Sequence, residues 1–250
     1  MTIAPTETTR EVAGGIGTSP IRPDGIPKVK GEFEFSGDLH DDDMLWGATV
    51  RSPHASARVL SIDIGPALAI PGVHAVLTHE DVPGRKTCGQ VIADQPVLVI
   101  DEVRFWGEPV AIVAADDQET ARRAAEAVVV DYQPLDPLTD PEEAERRGEA
   151  FRTMRVVNGD QDRRGEVAVE GYYETGTIDQ AMLGTEAGLA VPHGAGGVDL
   201  YSATQWVHED HEQRDRSLGV EPGEVRLRLS GIGGAFGARE DLTLQIHLCL

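Results

Sequence analysis

The sequence predicts an α+β fold in two units, and three observations carry that prediction. Residues 109–132 read as strand, helix and strand in immediate succession, the pattern of a helix packed on a small sheet. The composition then shifts at 133–148 to a proline-bearing run of mixed charge, Glu142-Glu143-Ala144-Glu145-Arg146-Arg147, which buries little apolar surface and reads as a linker. Beyond it, short strands alternate with turns up to a glycine-rich loop at 231–237.

Taken in order, the first element expected is an alternating strand from Lys28 to a Gly37-Asp38 turn. Leu45–Arg51 and Arg58–Ile64 read as two more strands. Pro66–Ile70 reads as a helical turn halted at Pro71-Gly72, and His74–Thr78 as a short buried strand. Pro109–Ala115 is continuously apolar, Asp116 with Glu119 suggests a capping box for a helix through Glu126, and Val128–Tyr132 is β-branched. In the second unit, Glu166–Thr175, Gly188–Val191, Val198–Ala203 and Val225–Leu229 read as strands. Val207–Leu218 reads as a helix with Gly219 at its C′ position.

Composition excludes several function classes. At 250 residues, 40% hydrophobic and 26% charged, the chain is globular rather than disordered. No stretch approaches the roughly 20 apolar residues of a spanning helix, so no membrane role is expected. Acidic residues number 43 against 22 basic, a formal charge of −21, which repels phosphate backbones and sets nucleic acid aside as a partner. Cys88 and Cys249 belong to no paired motif, so a disulfide framework or a zinc or iron–sulfur site on this chain is unsupported. The N-terminus is polar, with neither a basic start before an apolar run nor an arginine pair, so the cytoplasm is the expected location. Residues 1–20 are expected to be a flexible arm.

The loop Gly231-Ile232-Gly233-Gly234-Ala235-Phe236-Gly237 carries the strongest local signal. Four glycines in seven residues allow positive φ and close approach of main chain to a ligand, and successive N–H groups there can form an anion-binding nest. A tight structural turn explains the same residues. A dinucleotide fingerprint fails because Phe236 stands at the third glycine position, and a phosphate-binding Walker loop fails for want of a following Gly-Lys-Ser/Thr. His208-Glu209-Asp210-His211-Glu212 lacks the second histidine of a zincin and reads as an exposed charged helix face. No GxSxG nucleophile elbow is present. Glu240, just past the loop, suits substrate recognition or a helix start equally well, with Asp241 beside it. Gln205, between a strand and a helix, offers a donor and an acceptor and otherwise reads as a helix-entry residue.

Three stretches together resemble the large subunit of the molybdenum hydroxylases, the family of xanthine dehydrogenase, aldehyde oxidase and CO dehydrogenase. Gly47-Ala48-Thr49-Val50-Arg51-Ser52-Pro53-His54-Ala55-Ser56-Ala57-Arg58, with Ile62-Asp63, Pro71-Gly72-Val73 and Trp106-Gly107-Glu108-Pro109-Val110-Ala111, is similar to that family's α/β hammerhead domain. Thr204-Gln205 is the second stretch. Gly233-Gly234-Ala235-Phe236-Gly237-Ala238-Arg239-Glu240 is the third, departing from the family pattern where Ala235 and Ala238 replace glycines and Arg239 replaces a lysine. The match covers most of residues 22–250, and Gly184–Val191 with Arg239–Leu242 looks most like bacterial multi-subunit xanthine dehydrogenases.

The resemblance implies a molybdenum–molybdopterin cofactor, with iron–sulfur clusters and FAD on partner chains or domains of an oligomeric complex. It implies that Gln205 hydrogen-bonds a ligand of the metal, that Gly234, Ala235, Phe236 and Gly237 line the cofactor with their main chain, and that Glu240 contacts a purine substrate. No role carries over to Gln180–Gly184, where many relatives have a histidine and a glutamate. The implied domains are a hammerhead over 21–135, a linker over 136–150 and the N-terminal part of a mixed α+β molybdopterin-binding domain over 151–250. The apolar stretch Asp241–Leu250 stops without a polar tail, so Leu250 is read as a truncation point and the chain alone as inactive. The activity implied is oxidation of a purine such as xanthine or hypoxanthine with water as oxygen source. The alternatives are aldehyde or heteroaromatic oxidation, and a non-catalytic module of the same fold.

Overall fold

The structure is a computed structural model that describes residues 16–194, 196–221, 223–240, 242 and 244–250, so most of the arm expected over 1–20 lies outside the described residues, as does Asp241. In chain order the elements of the first half are α1 (Gly25–Lys30), β1 (Trp46–Arg51), β2 (Ala57–Asp63), α2 (Gly65–Leu68), β3 (Val73–Leu77), β4 (Thr87–Cys88), β5 (Gln95–Pro96), β6 (Glu102–Val103), β7 (Pro109–Ala115), α3 (Gln118–Ala127) and β8 (Val129–Pro134). They are followed by α4 (Pro141–Arg147), β9 (Gly188–His193), β10 (Gly197–Ser202), α5 (Val207–Leu218), β11 (Val225–Leu229) and α6 (Gln245–Cys249).

β7 is apolar along its whole length because it is central. It pairs antiparallel with β1 on one side and β3 on the other, and most of its residues are buried. Helix α3 lies across this sheet on Ala121 and Ala124, small residues that let the helix backbone come close. Val50, Ala67, Val76, Ala111, Val113 and Val128 fill the space between. A second sheet, in the order β6-β2-β8, shares Ala57, Val99, Val103 and Val110 with the first.

The cap of α3 falls one residue later than predicted. Asp117 accepts the Thr120 N–H at 2.9 Å, while Asp116 turns away to His74 Nε2 at 2.6 Å. The strand expected over Lys28–Asp38 is also corrected. Asp24 precedes the short helix α1, Pro27 sits in its first turn, where a missing N–H is harmless, and Gly31 closes it at φ 70°. Phe33 and Phe35 keep the alternating facing that the pattern implied, but the only ladder contact here among the described residues is a parallel bridge from Phe35 to Gly231.

The linker segment holds a capped helix. Asp140 accepts from Glu142 and Glu143 N–H, and Gly148 closes α4 in the left-handed region. The strand expected over Glu166–Thr175 is absent: every residue from 145 to 181 is exposed, and no described strand lies beside it. A strand needs a partner for its N–H and C=O groups, and propensity alone supplies none.

The second half is a sheet in the order β11-β10-β9, antiparallel between β9 and β10 and parallel between β10 and β11. Helix α5 is the crossover that a parallel pair requires. Its last carbonyls are capped from the first half: Gly84 N–H donates to Ser217 O at 2.9 Å and Arg85 N–H to Arg216 O at 2.8 Å. A Cβ at Gly84 would lie 2.3 Å from Arg216 O, so only glycine permits this approach. Val82, Cys88, Val97 and Leu98 then share one core with Leu200, Leu218, Val225, Leu242 and Ile246. The charged face expected on α5 is corrected at the same place. Asp210, Arg214 and Asp215 are buried, and Arg214 donates to Asp215 at 3.0 Å and to Val225 O at 3.1 Å.

Candidate functional site

Two adjacent parallel strands, β10 and β11, end side by side at Ser202 and Leu229. Carboxyl ends of neighbouring parallel strands leave a crevice where the chain departs into different connections, and ligands gather there in open α/β sheets. Gln205 leaves the end of β10, and the loop 231–237 leaves the end of β11. Ser230 N–H donates to Ser202 O at 3.0 Å, so the two exits stay together.

The sequence-predicted residues converge where these two strands end. Gln205 is pinned through its main chain, whose N–H donates to Arg239 O at 2.9 Å, and through its side chain, whose Oε1 accepts the Gly237 N–H at 3.1 Å. Its Nε2 points to Glu240 Oε1 at 3.5 Å. An amide oxygen held by an N–H donor leaves the NH2 as the outward group, so the side chain's orientation is set by its neighbours. Phe236, at φ 53° and 77% exposed, stands out from the surface beside them. Gly234 and Gly237 take φ 153° and 93°, which glycine adopts without strain. Ala235 and Ala238 keep negative φ, so a Cβ at each is accommodated and the departures from the all-glycine pattern cost little. Ala235 is buried, with its methyl turned inward.

Sequence reasoning missed the ties that hold this geometry. Arg239 is 3% exposed and its guanidinium donates to Glu186 Oε1 at 2.9 Å, Gly184 O at 2.7 Å and Thr185 O at 2.9 Å. It fastens the stretch before β9 to the far end of the loop. Gln90, from the β4–β5 ribbon, donates to the Glu240 carbonyl, and Gly89 N–H donates to Gln213 on α5 at 2.7 Å. From the N-terminal side, Lys28 Nζ donates to Ile232 O at 2.9 Å, and Ser36 Oγ meets Ser230 Oγ at 2.5 Å. These partners are distant in sequence, and no local pattern announces them.

The chemistry offered at these strand ends is that of neutral donors, an amide NH2 and loop N–H groups, with the Glu240 carboxylate beside them. Among the described residues no group of three His, Cys, Asp or Glu side chains could hold a bare metal ion. His211 is turned to Asp215 at 2.9 Å. Such a donor set suits a cofactor that brings its own ligands to its metal and is itself rich in oxygen and nitrogen acceptors, and in that sense the residues fit a molybdenum–molybdopterin group. Neither Cys88 nor Cys249 is in a disulfide, and burial pushes the Cys249 thiol up to about 11, away from the reactive thiolate form. No helix among the described residues is long and apolar enough to cross a membrane.

Comparison with known proteins places these features in a family. Residues 30–136 match the family described as "Aldehyde oxidase and xanthine dehydrogenase, a/b hammerhead domain", and residues 147–250 match "Molybdopterin cofactor-binding domain". The chain is 35% identical over 243 residues to a probable xanthine dehydrogenase subunit from Bacillus subtilis (strain 168), covering 93% of this chain and 33% of that relative. It is 30% identical over 246 residues to the "Nicotinate dehydrogenase large molybdopterin subunit" of Eubacterium barkeri, covering 94% of this chain and 58% of the relative. The crystal structure of quinoline 2-oxidoreductase from Pseudomonas putida 86 superposes with a TM-score of 0.74 at 29% identity, covering 90% of this chain and 31% of that one. The chain thus spans about a third of the length of its Bacillus relative. With two successive domains matched in the expected order, the chain belongs to the xanthine dehydrogenase family as a portion of its molybdopterin-binding subunit, an α/β hammerhead followed by molybdopterin cofactor-binding sequence.

Proposed function

We propose that this chain forms one wall of the molybdenum-cofactor site in a multi-subunit hydroxylase that oxidises a purine such as xanthine or hypoxanthine, with water as oxygen source. The observation that carries the reading is the hydrogen-bonded set Gln205–Gly237–Glu240 at the ends of β10 and β11, with Phe236 exposed beside it. When bound, the molybdenum–molybdopterin group supplies the redox chemistry. Gln205 offers its NH2 to a ligand of the metal, held in register by the Gly237 N–H. Gly234, Ala235, Phe236 and Gly237 present their main chain to the cofactor. Iron–sulfur clusters and FAD reside on partner chains or domains, in keeping with relatives named as subunits.

Glu240 decides the substrate class. The named relatives point to flat nitrogen heteroaromatics: xanthine, nicotinate and quinoline. A carboxylate at the rim accepts hydrogen bonds from ring N–H groups. Xanthine and hypoxanthine carry such donors, whereas quinoline has none and nicotinate brings a carboxylate that Glu240 repels. In the complete complex, Glu240→Ala is expected to lower kcat/KM for xanthine about tenfold or more, one lost charge-assisted hydrogen bond, with little change for quinoline or an aromatic aldehyde. Unchanged xanthine turnover would remove Glu240 from this role. Faster wild-type turnover of nicotinate or aldehyde than of any purine would replace the substrate reading. Molybdenum absent from the purified complex by elemental analysis would leave a non-catalytic module.

A further inference from the structure

The loop's near end is seated by a cation. Lys28 is only 18% exposed at its side chain, and its Nζ lies 2.7 Å from Asp24 Oδ2, 2.9 Å from Ile232 O and 4.8 Å from the centre of the Phe33 ring. The Phe35 ring, 5.7 Å away, meets Phe33 edge-on with centroids 5.4 Å apart. An ammonium has three donors; here one is anchored on a carboxylate, one takes the loop carbonyl, and the remaining charge rests against aromatic faces. Phe33 also fills the space that Gly231 leaves open, since a Cβ there would lie 2.1 Å from Phe33 Cε1.

A trans peptide is planar, and its C=O and N–H point in opposite directions. No described peptide bond is cis. With the Ile232 carbonyl drawn back onto Lys28, the N–H of the same peptide, which belongs to Gly233, is directed to the opposite side. Gly233 is exposed. Hydrogen bonding at one end of a peptide also polarises the donor at the other.

We propose that Lys28, anchored by Asp24, is a positioning residue for the cofactor loop: it fixes the Ile232–Gly233 peptide so that the Gly233 N–H projects from the open side of the loop as a donor to an anionic or oxygen-rich group of the cofactor. This rests on the reading that the loop faces the molybdenum–molybdopterin group. Lys28 touches neither cofactor nor substrate and acts through the main chain. A neutral side chain of similar length, such as methionine, fills the same space without the donor.

The test compares Lys28→Met, Lys28→Arg and Asp24→Asn in the complete subunit purified with its partner chains. Amide hydrogen exchange over 231–237 is measured alongside molybdenum content after dialysis and the thermal midpoint. Lys28→Met is expected to speed exchange in 231–237 by about tenfold, the signature of local opening, while α3 and β7 stay protected. It is also expected to lower molybdenum retention, and Lys28→Arg to restore most of both. Asp24→Asn, which keeps the ammonium but loses its anchor, is expected to fall between and carries the test if Lys28→Met does not fold. Wild-type exchange and metal retention in the methionine variant, or an arginine variant no better than methionine, would overturn the proposal. If even the wild-type subunit holds no molybdenum, the cofactor reading fails by itself, and the exchange arm still decides whether Lys28 fixes the loop.

Discussion

Two stretches of this chain lack regular secondary structure, and they are opposites. Residues 231–240 leave β11 as an irregular loop, yet side chains hold it from three directions: half-buried Lys28 and Phe33 at the near end, the exposed Gln205 in the middle, and buried Arg239 with half-buried Gln90 at the far end. Residues 148–181, beyond α4, are equally irregular and exposed throughout, with Phe151, Val167, Val169, Tyr173 and Ile178 facing solvent. The first stretch is tied to residues distant in sequence, whereas the hydrogen bonds of the second join near neighbours, such as Arg155 with Gln161 and Ala181 with Asp179. The first stretch carries the proposed site, and its shape is set largely by residues that lie outside it.

The sharpest way to break this contrast is to remove a tie. Arg239→Met deletes three charge-assisted hydrogen bonds in a buried setting and strands the carbonyls of Gly184 and Thr185. It is expected to lower the unfolding free energy by about 3 kcal/mol, read from urea melts. A cost near zero would mean that the loop holds itself. The next effect is steric. Gly231→Ala places a methyl against Phe33 and the Glu34 carbonyl and is expected to cost about 2 kcal/mol. Pairing it with Phe33→Ala makes room, so the two substitutions together should cost clearly less than their sum. Strict additivity would show that the ring does not seat the loop.

How much of this is legible in the sequence divides along the same line. The long elements are readable because their signals are local: apolar β7, and the 3.6-residue spacing and Gly219 closure of α5. Gln205, Phe236, Gly237 and Glu240 are marked by the family resemblance, and the structure brings them together. The parallel pairing of β10 with β11, which brings the two exits together, is not legible, because register between strands 27 residues apart depends on partners that neither strand names. Arg239 reads as a mild replacement in sequence, and only the fold puts Gly184, Thr185 and Glu186 around it. The absent strand at Glu166–Thr175 is the converse case, β-propensity with no described strand lying beside it. Helix α1 has its signals in Asp24, Pro27 and Gly31, an acidic residue at the N-cap position, a first-turn proline and a left-handed stop, but the alternation of Phe33 and Phe35 masks them when it is extended backwards over Lys28.

A smaller effect tests a tie between the halves through pH. His247 on α6 donates from Nε2 to Val97 O at 2.7 Å, and since a carbonyl only accepts, that nitrogen carries the proton. Burial, chiefly, and the Arg51 charge pull its pKa below the ordinary 6.5, against the opposing hydrogen bond to Val97. The unfolded chain then binds a proton more readily than the folded one once pH drops below about 6.5. The sign follows: stability is full above that pH and declines as pH falls toward the folded value, by at most about 1.4 kcal/mol per pH unit for one proton. His247→Gln keeps a donor without the titration, so its stability should fall less between about pH 7 and 5.5 than the wild type's. Parallel stability curves for the two proteins would show that His247 does not titrate differently on folding.

The smallest effect belongs to the exposed stretch. Val169→Lys replaces a side chain that is 90% exposed and without a strand partner among the described residues. In the 250-residue chain it is expected to change the unfolding free energy by no more than about 0.5 kcal/mol, as for other surface positions. The same substitution in the complete subunit gives the contrast its second half. If the cost there rises to about 2 kcal/mol, an apolar side chain that is bare in this chain becomes buried when the rest of the subunit is present. An equal, negligible cost in both settings would mean that the segment stays solvated, and that its valines and tyrosines serve no packing in the subunit.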